Sequence, residues 1–147
     1  MITKRSPLLL QNFVVLDSNI KANFPQEISE TNPLCDSDSY PVLIDFQIEK
    51  KEDEELYRIF VDLSINPQKE SGYSASIKAL GIFAFSDELP VDEATKSTLL
   101  RYSGLSICIT NVRSYIFNQT SYFPWGPFMF YAIDVNDLLE QKEHIPT

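Results

Sequence analysis

A chain of 147 residues, 44% hydrophobic and 22% charged, is sized for one domain, because folding at this length buries about two-thirds of the surface that the unfolded chain exposes. Its 21 acids against 12 Lys and Arg give a formal charge of -9; this repels phosphate backbones and excludes nucleic-acid binding, which relies on cationic neutralisation. The basic pair in "MITKRSPLLLQNF" precedes only three leucines and no later apolar run reaches bilayer length, so neither a secretory signal nor membrane insertion is expected and the reading is cytoplasmic.

From Asn12 to Phe24, Val14, Leu16, Ile20, Ala22 and Phe24 share one parity, while Asp17, Asn19, Lys21 and Asn23 occupy the other. This predicts a half-buried first strand. "VLIDFQIEK" repeats the pattern, with Val42, Ile44, Phe46 and Ile48 opposite Asp45, Gln47 and Glu49. The charged turn "KKEDEEL" and the run "YRIFVDLSI" then predict a hairpin into a third strand. In "YSASIKALGIFAFSD", Tyr73, Ala75, Ile77 and Ala79 alternate with Ser74, Ser76 and Lys78, but from Leu80 to Phe85 both parities are apolar. The end of this fourth strand is therefore expected to be covered on both faces.

Beyond "ELPVDEA" the period changes. Leu99, Tyr102, Leu105, Ile109, Val112 and Ile116 recur at three- and four-residue steps, predicting a helix over about 95–118 with Gly104 as a mild weak point. A second stripe through Leu100, Ile107, Cys108, Tyr115 and Phe117 gives this helix another apolar face, and Leu100, Ile107 and Tyr115 are the expected oligomer contacts. The aromatic stretch "SYFPWGPFMFYAID" is expected to lie as a loop over the apolar end of strand four. Asp134 can then N-cap "VNDLLEQK", with Asp137 near the start and Lys142 near the end, as the helix dipole prefers. These elements read as a single α+β domain over 1–147, a four-stranded antiparallel sheet with a long helix and a short C-terminal helix packed on one face.

The motifs that announce catalysis or metal binding do not occur: no Gly-rich phosphate loop, G-x-S-x-G, HExxH or paired CxxC. No enzyme, cofactor or metal is expected. His144 lies close to the end of the sequence, Asp45, Asp62 and Asp87 read as solvated carboxylates, and Cys35 and Cys108 as unpaired thiols. Glu49 to Leu56 reads as a solvated hairpin tip, and Arg113 either as a surface residue or as a carboxylate anchor. What remains is an excess of apolar side chains: Leu80, Ile82, Phe83, Tyr122, Trp125, Phe128, Met129 and Phe130. They fit either a dense core with an oligomer interface or an aromatic groove for unfolded polypeptide, since Tyr, Phe, Trp and Met adapt to many apolar partners.

The order of these features resembles the SecB family of cytosolic protein-export chaperones from about Leu10 to Lys142. The resemblance is carried by "FVVLDSNIKANFP", by "KALGIFAFSD" with Gly81, Ile82 and Phe83, and by "RSYIFNQTSYFPWGPFMFYAIDVNDLL". It implies dimers pairing into a tetramer through their helices, and an ATP-independent holdase whose grooves keep client polypeptides extended. It also implies a partner, either the SecA motor or, as in SecB-like chaperones of toxin–antitoxin systems, an antitoxin. Asp17 matches one acid of the family's motor-docking surface, whereas Lys21 and Ser76 stand where further acids would be. The rival reading is a non-chaperone oligomeric adaptor in which the aromatic loop is buried.

Overall fold

The computed structural model describes residues 1–24 and 40–145; Cys35 lies outside them. Four antiparallel strands, β1 (Leu8–Asn23), β2 (Val42–Lys51), β3 (Leu56–Ile65) and β4 (Gly72–Phe85), form one open sheet in the order β1-β4-β3-β2. The helical half follows: α1 (Glu93–Leu99), a π-helical turn over Leu100–Gly104, α2 (Leu105–Thr120) and α3 (Val135–Glu143). No helix among the described residues is long and apolar enough to cross a membrane.

Residues directly opposite one another in antiparallel strands share a face of the sheet. The buried row Ile59, Val61, Leu63 and Ile65 of β3 faces Gly81, Ala79, Ile77 and Ala75 of β4. Ile48, Phe46, Ile44 and Val42 of β2 continue the same rows, and α2 lays Leu105, Cys108, Ile109, Val112 and Ile116 over them. Alternation in β2, β3 and the first half of β4 therefore translates directly into one core face.

Strand β1 departs from the expected parity. Its register against β4 shifts between Leu10 and Asn12 and again between Val15 and Asp17. Each shift adds one residue, and one extra residue exchanges the two faces. Phe13 and Val15, opposite Gly81 and Ala79, thus take the core side, Val14 falls opposite Leu80 on the outer face, and Leu16 occupies the second shift, 56% exposed. Ile20 and Ala22, beyond both shifts, return to the core side as expected.

The long helix is interrupted rather than uniform. Asp92 caps α1 by accepting from the Thr95 amide at 2.7 Å. At Gly104 an added Cβ would lie 2.7 Å from Ile59 Cδ1, so the helix approaches the sheet there as closely as glycine permits. A π turn inserts one residue and rotates the stripe, which buries Leu100 and leaves Tyr102, one turn along the expected stripe, 43% exposed.

Candidate functional site

Tyr73, at the start of β4, organises the chain after α2. Its hydroxyl donates to the Gly126 carbonyl at 2.6 Å and accepts from the Trp125 amide at 3.0 Å. The rings of Phe123, Trp125 and Phe128 stand 5.3 to 5.9 Å from it at tilted or edge-on angles, the arrangement favoured by aromatic quadrupoles. Buried Thr120 completes the turn, donating to the Ile116 carbonyl at 2.7 Å and accepting from the Phe128 amide at 2.8 Å. Gly126, at φ +77, adopts a backbone conformation that L side chains rarely accept. The aromatic loop is therefore anchored at the Gly72 end of β4. This corrects the expectation that it covers the Leu80–Phe85 end, about 23 Å away at strand rise.

From Phe128 the segment alternates, with Phe128 and Phe130 in the core and Met129 and Tyr131 facing outward. Arg113 fixes this strand-like run: its Nε donates to the Phe130 carbonyl at 3.0 Å and its guanidinium stacks 5.5 Å from the Phe130 ring centroid. The run then passes beside β2, where the Tyr131 hydroxyl accepts from the Val42 amide at 3.1 Å. Asp134 N-caps α3 through the Asp137 amide at 3.1 Å, as the sequence predicted.

Strand β2 pairs with β3 alone, so its outer edge carries no strand partner among the described residues. Along this edge lies a cleft of about 640 Å³ between β2 and the Tyr131-to-α3 segment. Val42, Ile44, Ile133 and Leu138 supply its apolar lining, and Asp45, Asp62, Asp134 and Asp137 its carboxylates. Lys142 pairs with Asp45 and holds its carboxyl below the usual value of 3.8, helped by the Phe46 amide and opposed by partial burial. Four acids against two nearby ammonium groups, Lys142 at Asp45 and Lys78 at 3.9 Å from Asp62, leave the cleft anionic. A second hollow of about 480 Å³ opens on the other side of α3, floored by Phe46, Ile48, Leu100 and Leu139. An unpaired strand edge, apolar side-chain sites and acids together suit an extended chain carrying apolar and cationic residues. No group of His, Cys, Asp and Glu able to hold a metal occurs among the described residues.

The eight residues expected to line one groove are divided by the structure. Phe83, Phe128 and Phe130 are core residues. Leu80 and Ile82 point to the outer face, opposite Phe60 and Arg58 respectively, and are half-buried. Trp125 belongs to the Tyr73 cluster and is half-buried, whereas Tyr122, 95% exposed, and Met129 face outward. Of the expected oligomer contacts, Leu100 belongs to the core of the domain itself; Ile107 and Tyr115 are half-buried, and the Tyr115 hydroxyl donates to Ser18 Oγ at 2.9 Å. Asp17 lies on the outer face opposite Lys78. The β2-edge cleft was not anticipated, because strand order decides which strand has an open edge and periodicity does not encode strand order.

Sequence comparison finds no matching family and no matching curated protein. Structure comparison finds a SecB-like chaperone of Mycobacterium tuberculosis, solved in complex with a ChAD peptide from the HigA1 antitoxin, with a TM-score of 0.59 at 9% identity, covering 87% of this chain and 88% of that one. A protein of unknown function from Streptococcus agalactiae aligns with a TM-score of 0.41 at 14% identity, over 86% of this chain and 97% of that one. The α+β architecture read from the sequence is thus the observed one, and it is a SecB-like fold.

Proposed function

We propose that this SecB-like domain is a chaperone that binds extended, non-native polypeptide segments along the β2 edge. The observation that carries this reading is the anionic cleft beside an unpaired strand edge. Strand addition satisfies a client's backbone without regard to its sequence, alternate pockets accept apolar side chains, and the acids favour cationic ones. Exposed Tyr122 and Met129 beside half-buried Trp125 extend the apolar surface at the loop. The complex of the mycobacterial neighbour with an antitoxin peptide supports a peptide client on this fold.

The domain acts as a holdase without ATP: binding alone keeps a client soluble. An antitoxin or another folding client suits it better than the SecA motor, because the outer sheet face sets Asp17 opposite Lys78, which pairs with Asp62, and carries Lys21 and Ser76 on the same two strands instead of a continuous acidic surface. Half-buried Ile107 and Tyr115, with exposed Phe117, provide the helix surface through which copies assemble, as a dimer of dimers in the cytoplasm.

Light scattering by a chemically denatured protein diluted into buffer tests the proposal. Stoichiometric chaperone is expected to suppress the scattering equally with and without ATP. Unchanged scattering in the presence of correctly assembled protein would overturn the reading.

A further inference from the structure

Helix α3 separates the two hollows of the β2 edge, and it is held there weakly. It has nine residues, of which Leu139 alone is buried, while Val135 and Leu138 are half-buried. Isolated helices of this length are marginal in water, so α3 depends on its contacts. Beyond Leu139 and the packing of Val135 and Leu138 on the core, those contacts are polar and wet. Lys142 reaches Asp45 with side chains 40% and 71% exposed, and Glu143 reaches Arg101 with side chains 59% and 38% exposed. Such pairs each contribute little in water. The cleft of about 640 Å³ lies on one side of α3 and the hollow of about 480 Å³ on the other. Leu138 lines the first and Leu139 the second, so adjacent residues of one short helix stand between them.

Accepting the peptide-binding function above, on which this step rests, we infer that α3 is a displaceable strap: its release joins the two hollows into one trench along β2, and an extended client occupies that trench. Release uncovers Ile44, Phe46 and Ile48, consecutive core-side positions of the edge strand, beside Leu100. It also frees Asp45 from Lys142, leaving a carboxylate for a cationic side chain of the client. The occupant that fits is therefore an extended segment alternating apolar and basic residues, because it replaces both things that α3 supplies, leucine burial and an ammonium at Asp45. The apparent affinity of such a client is lowered by the fraction of molecules in which the strap is closed.

Glu140 allows a clean test. It is exposed in the interior of α3, lines neither hollow and takes part in no ion pair among the described residues. Glu140→Ala and Glu140→Gly remove the same charge but differ in helix propensity by up to about five-fold in the stability of α3. Two readouts are needed: amide hydrogen exchange across 135–143 in the free protein, and affinity for a fluorescein-labelled 20-residue peptide of alternating phenylalanine and lysine. The strap requires the Gly variant to exchange faster and to bind two- to five-fold tighter than the Ala variant. If α3 is instead a fixed wall of the site, the Gly variant binds more weakly or equally while exchanging faster, and the inference falls with peptide binding intact. If neither variant nor the wild type binds the peptide, the peptide-binding function falls and the strap with it.

Discussion

The Tyr73 hydroxyl sits between the Gly126 carbonyl at 2.6 Å and the Trp125 amide at 3.0 Å, so one phenol from β4 ties down the loop that leads to the cleft. Replacing Tyr73 with Phe keeps the ring cluster and removes both bonds. An unsatisfied buried group costs about 1–3 kcal/mol, and that loss of stability is expected in urea denaturation. Trp125 is the single indole of the chain and reports the same event locally, through acrylamide quenching that rises before global unfolding. Unchanged quenching would mean that ring packing alone positions the loop.

An added methyl at Gly81 would stand 2.5 Å from Cys108 Sγ and 2.8 Å from the Phe83 ring. Gly81→Ala is therefore expected to destabilise by about 1–3 kcal/mol through overpacking. Cys108→Ala clears the sulfur, so the double variant should lose less than the sum of the two single losses. Strict additivity in thermal or urea unfolding would show that helix α2 does not set this limit.

The same close packing governs Cys108 chemistry. Burial pushes its thiol up to about 12, opposed by a hydrogen bond with the Gly81 backbone. The thiolate is the reactive form, so in a Cys35→Ser background a disulfide reagent at about pH 8 should label Cys108 only as fast as the protein unfolds. Labelling independent of added urea at low concentrations would contradict this.

How far the sequence could be read depends on where the information lies. Val42, Ile44, Phe46 and Ile48 display their core face as plain alternation, and Asp134 with Asp137 and Lys142 marks a capped helix; both proved correct. The exchange of Val14 and Leu16 with Phe13 and Val15 was hidden, because the register shifts that cause it depend on the partner strand. The π turn at Leu100–Gly104 was hidden similarly: close approach to Ile59 selects glycine, yet only the packed helix shows why. Tyr73 looked like one more core residue, since the bonds from its hydroxyl span about fifty positions of chain. The open edge of β2 follows from strand order alone.

The Lys142–Asp45 pair gives stability a pH dependence of definite sign. Lys142 holds the Asp45 carboxyl below 3.8, and a depressed folded value stabilises above the unfolded value and is lost as pH falls through the folded one. Lys142→Met keeps the stem over the Phe46 ring and deletes the charge. Because Asp45 is largely exposed, the wild type should exceed the variant by no more than about 1 kcal/mol near neutrality. That advantage should shrink below pH 3.8 and vanish in stronger acid. An advantage that grows on acidification would reverse the assignment.

The acids of the cleft make the most direct functional prediction. Asp62 and Asp137 line it without capping α3, the role that belongs to Asp134. Replacing both with asparagine retains size and removes two charges. Exposed charge pairs contribute about 0.2–1 kcal/mol each, so affinity for a phenylalanine–lysine peptide should fall by roughly two- to thirty-fold and its salt dependence should flatten. A peptide with serine in place of each lysine should bind wild type and variant alike, because its apolar and backbone contacts are untouched. Equal losses for both peptides would instead trace the effect to a distorted cleft, and no loss for either would place the client elsewhere, with the exposed aromatics around Tyr122 as the next surface to alter.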